Sequence, residues 1–248
     1  MATAASRRNF PTLSLVTLLV ALIAALMVVG AGPAYRLRLL RLGGAFSLIE
    51  WGAWLGLAAL VLAAILASFQ RRTSTKRWPV IALIAALIGA LTFAIPYAML
   101  RSAKRAPAIH DISTDTVNPP RFVAVVPLRS GAPNSIDYAG DGTAAKQHAA
   151  YPDIQPVTLG VPPEQAHRRA LDAARSMGWQ IDASVPAEGR IEATDTTAWF
   201  GFKDDIVIRV SAAESGSRVD VRSESRLGEG DLGKNARRVR AYLRKLKS

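Results

Sequence analysis

Three side chains near the middle of the chain have the types and spacing of a hard-cation site. His110, Asp111 and Asp115 form an H-D-x-x-x-D pattern in the stretch IHDISTD. Carboxylate oxygens beside an imidazole suit a divalent metal ion, so the pattern points to metal-assisted hydrolysis. The same residues serve equally well as a metal-free loop fastened by Asx-type and hydroxyl-to-backbone hydrogen bonds. A second set lies in RSESRLGEGDLGKNARR, Arg222 to Arg238. Here Arg222, Ser223, Ser225, Arg226, Gly228, Asp231, Asn235 and Arg238 would surround an anion, with arginines beside a glycine-rich turn and helix amides close by. On the competing reading Asp231 and Asn235 cap a helix, while the arginines pair with Asp204, Asp205, Asp220 or Glu224.

Other chemistries leave no trace. There is no G-x-S-x-G elbow, Walker loop, H-E-x-x-H or dinucleotide fingerprint, so no cofactor is expected. The absence of cysteine removes disulfides, thiolate nucleophiles and cysteine-ligated metals. Asp204 and Asp205 are adjacent, so on a strand their carboxylates point apart and cannot act as a pair.

The elements that must position these residues differ sharply along the chain. Val80 to Leu100 holds no charge, and at ~1.5 Å per residue it reaches across a bilayer core of ~30 Å. Two further spans are read at residues 12–30 and 48–69, which makes residues 1–101 a three-helix membrane anchor. Gly52 and Gly56, Ala21 and Ala25, and Ala85 and Gly89 place small residues four apart, which favours close helix packing within the chain or in an oligomer. Residues 1–105 carry twelve Lys/Arg against Glu50 alone. That excess borders the apolar spans, so the formal charge of +12 reads as headgroup anchoring rather than nucleic-acid binding. With the N-terminus inside, the cations at the two ends of the spans tie. The RRTSTKR cluster at 71–77 tips the balance towards a cytoplasmic second loop and an external C-terminal half.

Residues 102–157 read as an extended linker containing HDISTD and YPDI, with a short edge strand at 121–128 ended by Pro127. Residues 158–248 read as a soluble α+β domain: a helix, four antiparallel strands and a closing helix, both helices on one sheet face. Ala166, Ala170, Ala173, Ala174 and Met177 share one face of the first helix, with Pro163 at its start and Gly178 at its end. Ile206, Ile208 and Val210 make the apolar face of one strand, and ESGS at 214–217 marks a hairpin. In the last strand Arg222, Glu224 and Arg226 alternate outward to solvent, and Ser223 and Ser225 inward. Leu232, Ala236, Val239, Leu243 and Leu246 form one stripe of the final helix, leaving a basic outer face that could rest on anionic lipid.

Four stretches, IHDISTDTVNPPRF (109–122), YPDI (151–154), EGRIEATDTTAWFGFKDDIVIRV (188–210) and VDVRSESRLGEGDLGKNARRVRAYL (219–243), resemble the bacterial family catalogued as domain of unknown function 1499. The resemblance covers the C-terminal half and implies an extracytoplasmic domain; it carries no activity. The resulting expectation is a multi-pass bacterial inner-membrane protein with a periplasmic, non-catalytic binding or scaffold domain. Its expected partners are membrane lipid and an envelope protein or anionic headgroup, with no nucleic acid. A metal-assisted hydrolase using His110, Asp111 and Asp115 is the alternative.

Overall fold

A computed structural model describes residues 4–70 and 77–248. The chain divides into two units, Met1–Ser102 and Ala103–Ser248. The basic segment at 71–76, on which the orientation argument leaned, lies outside the described residues.

The first unit is built from three helices: α1 (Ala4–Arg36), α2 (Leu42–Gln70) and α3 (Arg77–Arg105). Each is long and apolar enough to cross a membrane, which makes this a membrane protein. The stretch left between the expected spans 12–30 and 48–69 shrinks to the few residues between Arg36 and Leu42, because both flanking helices continue into it. Small residues set the packing. Gly52 lies against Ala24 and Val28 of α1, and Gly56 against Gly89 and Thr92 of α3. Lipid supplies no hydrophobic drive between helices, so such close backbone approach supplies the contact instead. The small-residue spacings at Gly52, Gly56 and Gly89 therefore serve packing inside the chain.

The second unit is an antiparallel sheet with helices on one face. Its strands are β1 (Asp111–Ser113), β2 (Val157–Leu159), β3 (Gln180–Val185), β4 (Arg190–Thr196), β5 (Lys203–Ala213) and β6 (Gly216–Ser225). β3, β4, β5 and β6 follow one another as antiparallel neighbours. β1 and β2 share the free edge of β6, pairing with residues 222–224 and 217–219 respectively. The sheet thus has six strands, not the four expected. The two extra ones are three-residue strands too short to show a period, completed by β6 rather than by local sequence.

Helices α5 (Pro163–Ser176) and α6 (Lys234–Lys247) cover one face, while α4 (Asp141–Ala150) precedes β2. Between helices and sheet lies an apolar core that includes Ile112, Ile154, Ile191, Ile206, Ile208, Val219, Val221 and Val239. Trp179 stacks on Tyr242 at 5.2 Å between centroids, and the Tyr242 hydroxyl donates to Ala170 O at 2.9 Å. Ile109, Ile112 and Ile154 come from the segment expected as a linker, so that segment is part of the folded unit. The stretch 121–128 is not a strand. It is a turn followed by a 3-10 turn at Pro127–Arg129, and it lies over the second sheet face, where Phe122 and Val125 pack on Val207.

Candidate functional site

Period-2 alternation gives the sheet two chemically different faces. On β6, Val219, Val221, Ser223 and Ser225 face the helices, and Arg218, Asp220, Arg222 and Glu224 face the other way. β5 splits likewise: Ile206 and Ile208 join the helix-side core, whereas Val207 packs under the loop. The second face was expected to be open to solvent. Instead residues 114–138 fold over it, leaving Arg222 3% exposed and Glu224, Asp205, Asp220 and Glu192 fully buried. A row of charges looks the same in sequence whether water or a distant segment covers it. Here the cover is a loop far in sequence from β4, β5 and β6.

The covered charges alternate in sign through space. Arg222 Nη2 lies 2.8 Å from Asp111 Oδ2 and 3.2 Å from Glu224 Oε2. Arg129, from the loop layer, reaches Glu224 Oε1 at 2.8 Å and Asp205 Oδ2 at 2.7 Å. Arg226 then grips Asp205, with Nη2 2.7 Å from Oδ1 and Nε 2.9 Å from Oδ2. Asp111, Arg222, Glu224, Arg129, Asp205 and Arg226 thus form one chain of three carboxyl groups and three guanidiniums. The Arg222 guanidinium also lies 4.8 Å from the centre of the Phe122 ring and 5.6 Å from that of Tyr138.

Two smaller clusters flank this chain. Asp220 accepts from Arg209 and Arg218, which both also reach Asp115 Oδ2 at 3.0 Å. The Asp115 carboxylate in addition accepts from the amides of Val117 and Asn118, at 3.1 and 2.8 Å. On the other flank the Glu192 carboxylate accepts from three successive backbone amides, Val123, Ala124 and Val125, at 3.0, 2.9 and 3.0 Å. Arg190 donates to it from the side.

The helix side of the Arg222–Arg238 stretch is equally closed. Arg238 Nη2 is 2.6 Å from Asp195 Oδ2 and 2.5 Å from Asp204 Oδ2, and Lys234 Nζ is 3.2 Å from Asp204. Ser223 Oγ donates to Asn235 Oδ1 at 2.8 Å, and Asn235 Nδ2 donates to Ser225 Oγ and His110 O, each at 2.9 Å. Asp231 accepts from the amides of Gly233, at 2.8 Å, and Asn235, so it caps α6. Gly233 takes φ +73°, a left-handed value that glycine accepts without strain. Gly228 also has a positive φ and lies exposed in the turn.

Burial shifts a few of these groups. It raises Asp111 above the usual carboxylate range despite Arg222. It pushes Glu224 up to about 8, helped by the neighbouring Asp111 and opposed by Arg129 and Arg222. Burial and Asp111 raise the Tyr138 phenol to about 12, and its hydroxyl is buried with no hydrogen-bond partner among the described residues. Burial acts upward on Asp195 too, but the Arg238 bond and the cations around it hold its carboxyl below the usual value.

The structure therefore separates the residues singled out in the sequence. Asp111 is bound to Arg222 and Asp115 to two arginines, while the half-buried His110 has Nδ1 3.4 Å from Glu229 O. Among the described residues no group of three or more His, Cys, Asp or Glu could hold a metal ion. Arg222, Arg226 and Arg238 have internal carboxylate partners. Arg129, Glu192 and Arg190 were missed, since nothing local marks them. One signal was present: Arg218, Asp220, Arg222, Glu224 and Arg226 alternate in sign at every second residue, and such a row neutralises itself.

The model of a protein family described as "Protein of unknown function (DUF1499)" matches residues 111–246, more than half of the chain. The matched range opens at β1 and closes within α6. No curated protein and no solved structure matches the chain.

Proposed function

We propose, from the premise that this chain belongs to the DUF1499 family, that it is a non-catalytic recognition module of the bacterial cell envelope. Its sheet unit stands on the outer side of the inner membrane and docks a protein partner through the loop layer. The observation that supports this is the direction of the charges. The carboxylates and guanidiniums that would do chemistry are buried against one another, so they act as a clasp holding residues 114–138 to the sheet. The clasped layer turns apolar side chains outward: Val117 is 95% exposed, Val123 54%, Val126 46% and Leu128 51%. Apolar groups presented on a fastened support suit a binding surface better than a reactive cleft.

The test is photo-crosslinking of the full chain in native membranes from a crosslinker at Val126, together with an export-dependent reporter fused after Ser248. The expected result is one discrete protein adduct and an active reporter. An inactive reporter, or no adduct, would remove the reading.

A further inference from the structure

We infer that the outer ridge of α6 rests on an anionic lipid surface. This helix holds seven cations and no acid in fourteen residues. Three of the seven are neutralised inside the unit: Lys234 and Arg238 by Asp195 and Asp204, and Arg240 by Asp153 at 2.5 Å. Arg237, Arg244, Lys245 and Lys247 are exposed and have no carboxylate partner among the described residues. The loop-covered face, by contrast, matches its arginines with carboxylates. Four cations without a carboxylate partner among the described residues are therefore gathered on one helix exterior.

The apolar stripe of α6 is unavailable for insertion, because Val239, Tyr242, Leu243 and Leu246 are in the core. The contact is thus electrostatic and lies on the headgroups. Lipid is the occupant favoured over an acidic protein because of the tether. The unit follows a membrane-spanning helix that ends at Arg105, and its first core residue is Ile109. So short a connection keeps headgroups at high effective concentration. Each cation close to an anionic leaflet gains roughly fivefold in contact, an effect confined to about one Debye length. This surface is distinct from the loop layer of the proposed function and stands or falls separately.

Because the chain contains no cysteine, one introduced thiol is a unique label site. The full chain with Ala241→Cys, carrying a fluorophore, is reconstituted into nanodiscs of phosphatidylcholine alone or mixed with phosphatidylglycerol, each doped with a headgroup-attached quencher. Val117→Cys reports the loop layer. The expected result is quenching at position 241 severalfold stronger in the anionic discs, abolished by high salt and by Arg237→Glu with Arg244→Glu. Equal quenching in both discs, insensitivity to salt, or stronger quenching at position 117 would overturn the inference. The salt response of the singly labelled chain decides the matter even if the charge-reversed variant fails to fold.

Discussion

Asp111 and Arg222 stand 111 residues apart in the chain and meet in a buried two-pronged pair, with Nη2 2.8 Å from Oδ2 and Nε 3.0 Å from Oδ1. This pair fastens the short edge strand β1 to the start of the Arg222–Arg238 stretch, so the two motifs that stood apart in sequence form one structural unit. Removing one partner leaves a buried charge uncompensated, which costs about 3–5 kcal/mol. Arg222→Met alone is expected to destabilise the sheet unit by that order. Asp111→Leu combined with Arg222→Met is expected to recover part of the loss, since an apolar pair carries no desolvation penalty. Hydrogen exchange of β6 peptides in the full chain measures both, and a double variant no better than the single one would contradict the argument.

Glu224 makes stability pH-dependent in an unusual direction. Its carboxyl titrates near 8 in the fold against an ordinary 4.5. The folded state therefore keeps the proton after the unfolded state has lost it, and stability falls as pH rises between about 4.5 and 8. Below that window the group contributes no penalty. Glu224→Gln keeps the shape of the protonated acid, so its stability relative to the parent is expected to improve steadily from the lower to the upper end of the window. Denaturation midpoints across that range give the slope, and parallel curves for the two proteins would refute the assignment.

His167 acts at lower pH. It is buried on α5 with Nε2 3.0 Å from Ser184 Oγ, and its Nδ1 is buried with no partner among the described residues. Burial holds its pKa below the usual 6.5, so the neutral ring is the folded form. As pH falls below 6.5 the unfolded chain takes up the proton first, and stability is lost in proportion. His167→Gln is expected to weaken the unit at neutral pH yet to flatten the loss below it. A variant with the parent's acid profile would show that other groups carry the effect.

The helices and the β5–β6 hairpin were legible because each declares itself locally. The Ala166, Ala170, Ala173, Ala174 face, the Ile206, Ile208, Val210 alternation and the ESGS turn each lie within a few residues. The cover on the sheet was not legible. Val123 to Val126 has strand-forming residues, yet its amides of Val123 to Val125 bond to a carboxylate on β4, which no local pattern announces. The outward row of β6 was placed on the correct face and given the wrong surroundings. Alternation fixes orientation; it does not say what lies opposite.

In the anchor, Gly89 offers a steric test. A Cβ there would stand 2.5 Å from Gly56 O and 2.9 Å from Leu60 N, backbone atoms that cannot turn aside. Gly89→Val is therefore expected to force α2 and α3 apart, at roughly 1–3 kcal/mol for overpacking. Gly30→Val, where a Cβ meets nothing within 4 Å, is the matched control. Faster hydrogen exchange in α3 for the first variant and none for the second is the expected pattern.

Glu192 carries the most local prediction. Its carboxylate, fully buried, accepts from the amides of Val123, Ala124 and Val125 and thereby fixes the turn that places Phe122 and Val125 on Val207. Hydrogen bonds to a charged acceptor each contribute about 1.5–3 kcal/mol, and an unsatisfied buried amide costs a comparable amount. Glu192→Ala removes the acceptor and leaves Arg190 without its buried partner. Glu192→Gln keeps the shape but not the charge. Exchange in peptides covering 121–130 is expected to quicken by on the order of a hundredfold for Ala and by less for Gln, since each tenfold corresponds to ~1.4 kcal/mol. The β5–β6 hairpin should keep its protection, because the apolar core on its other face is untouched by either change. Loss of protection in both regions together would mean that the loop layer and the sheet fold as one cooperative unit, and the clasp would then be inseparable from the core.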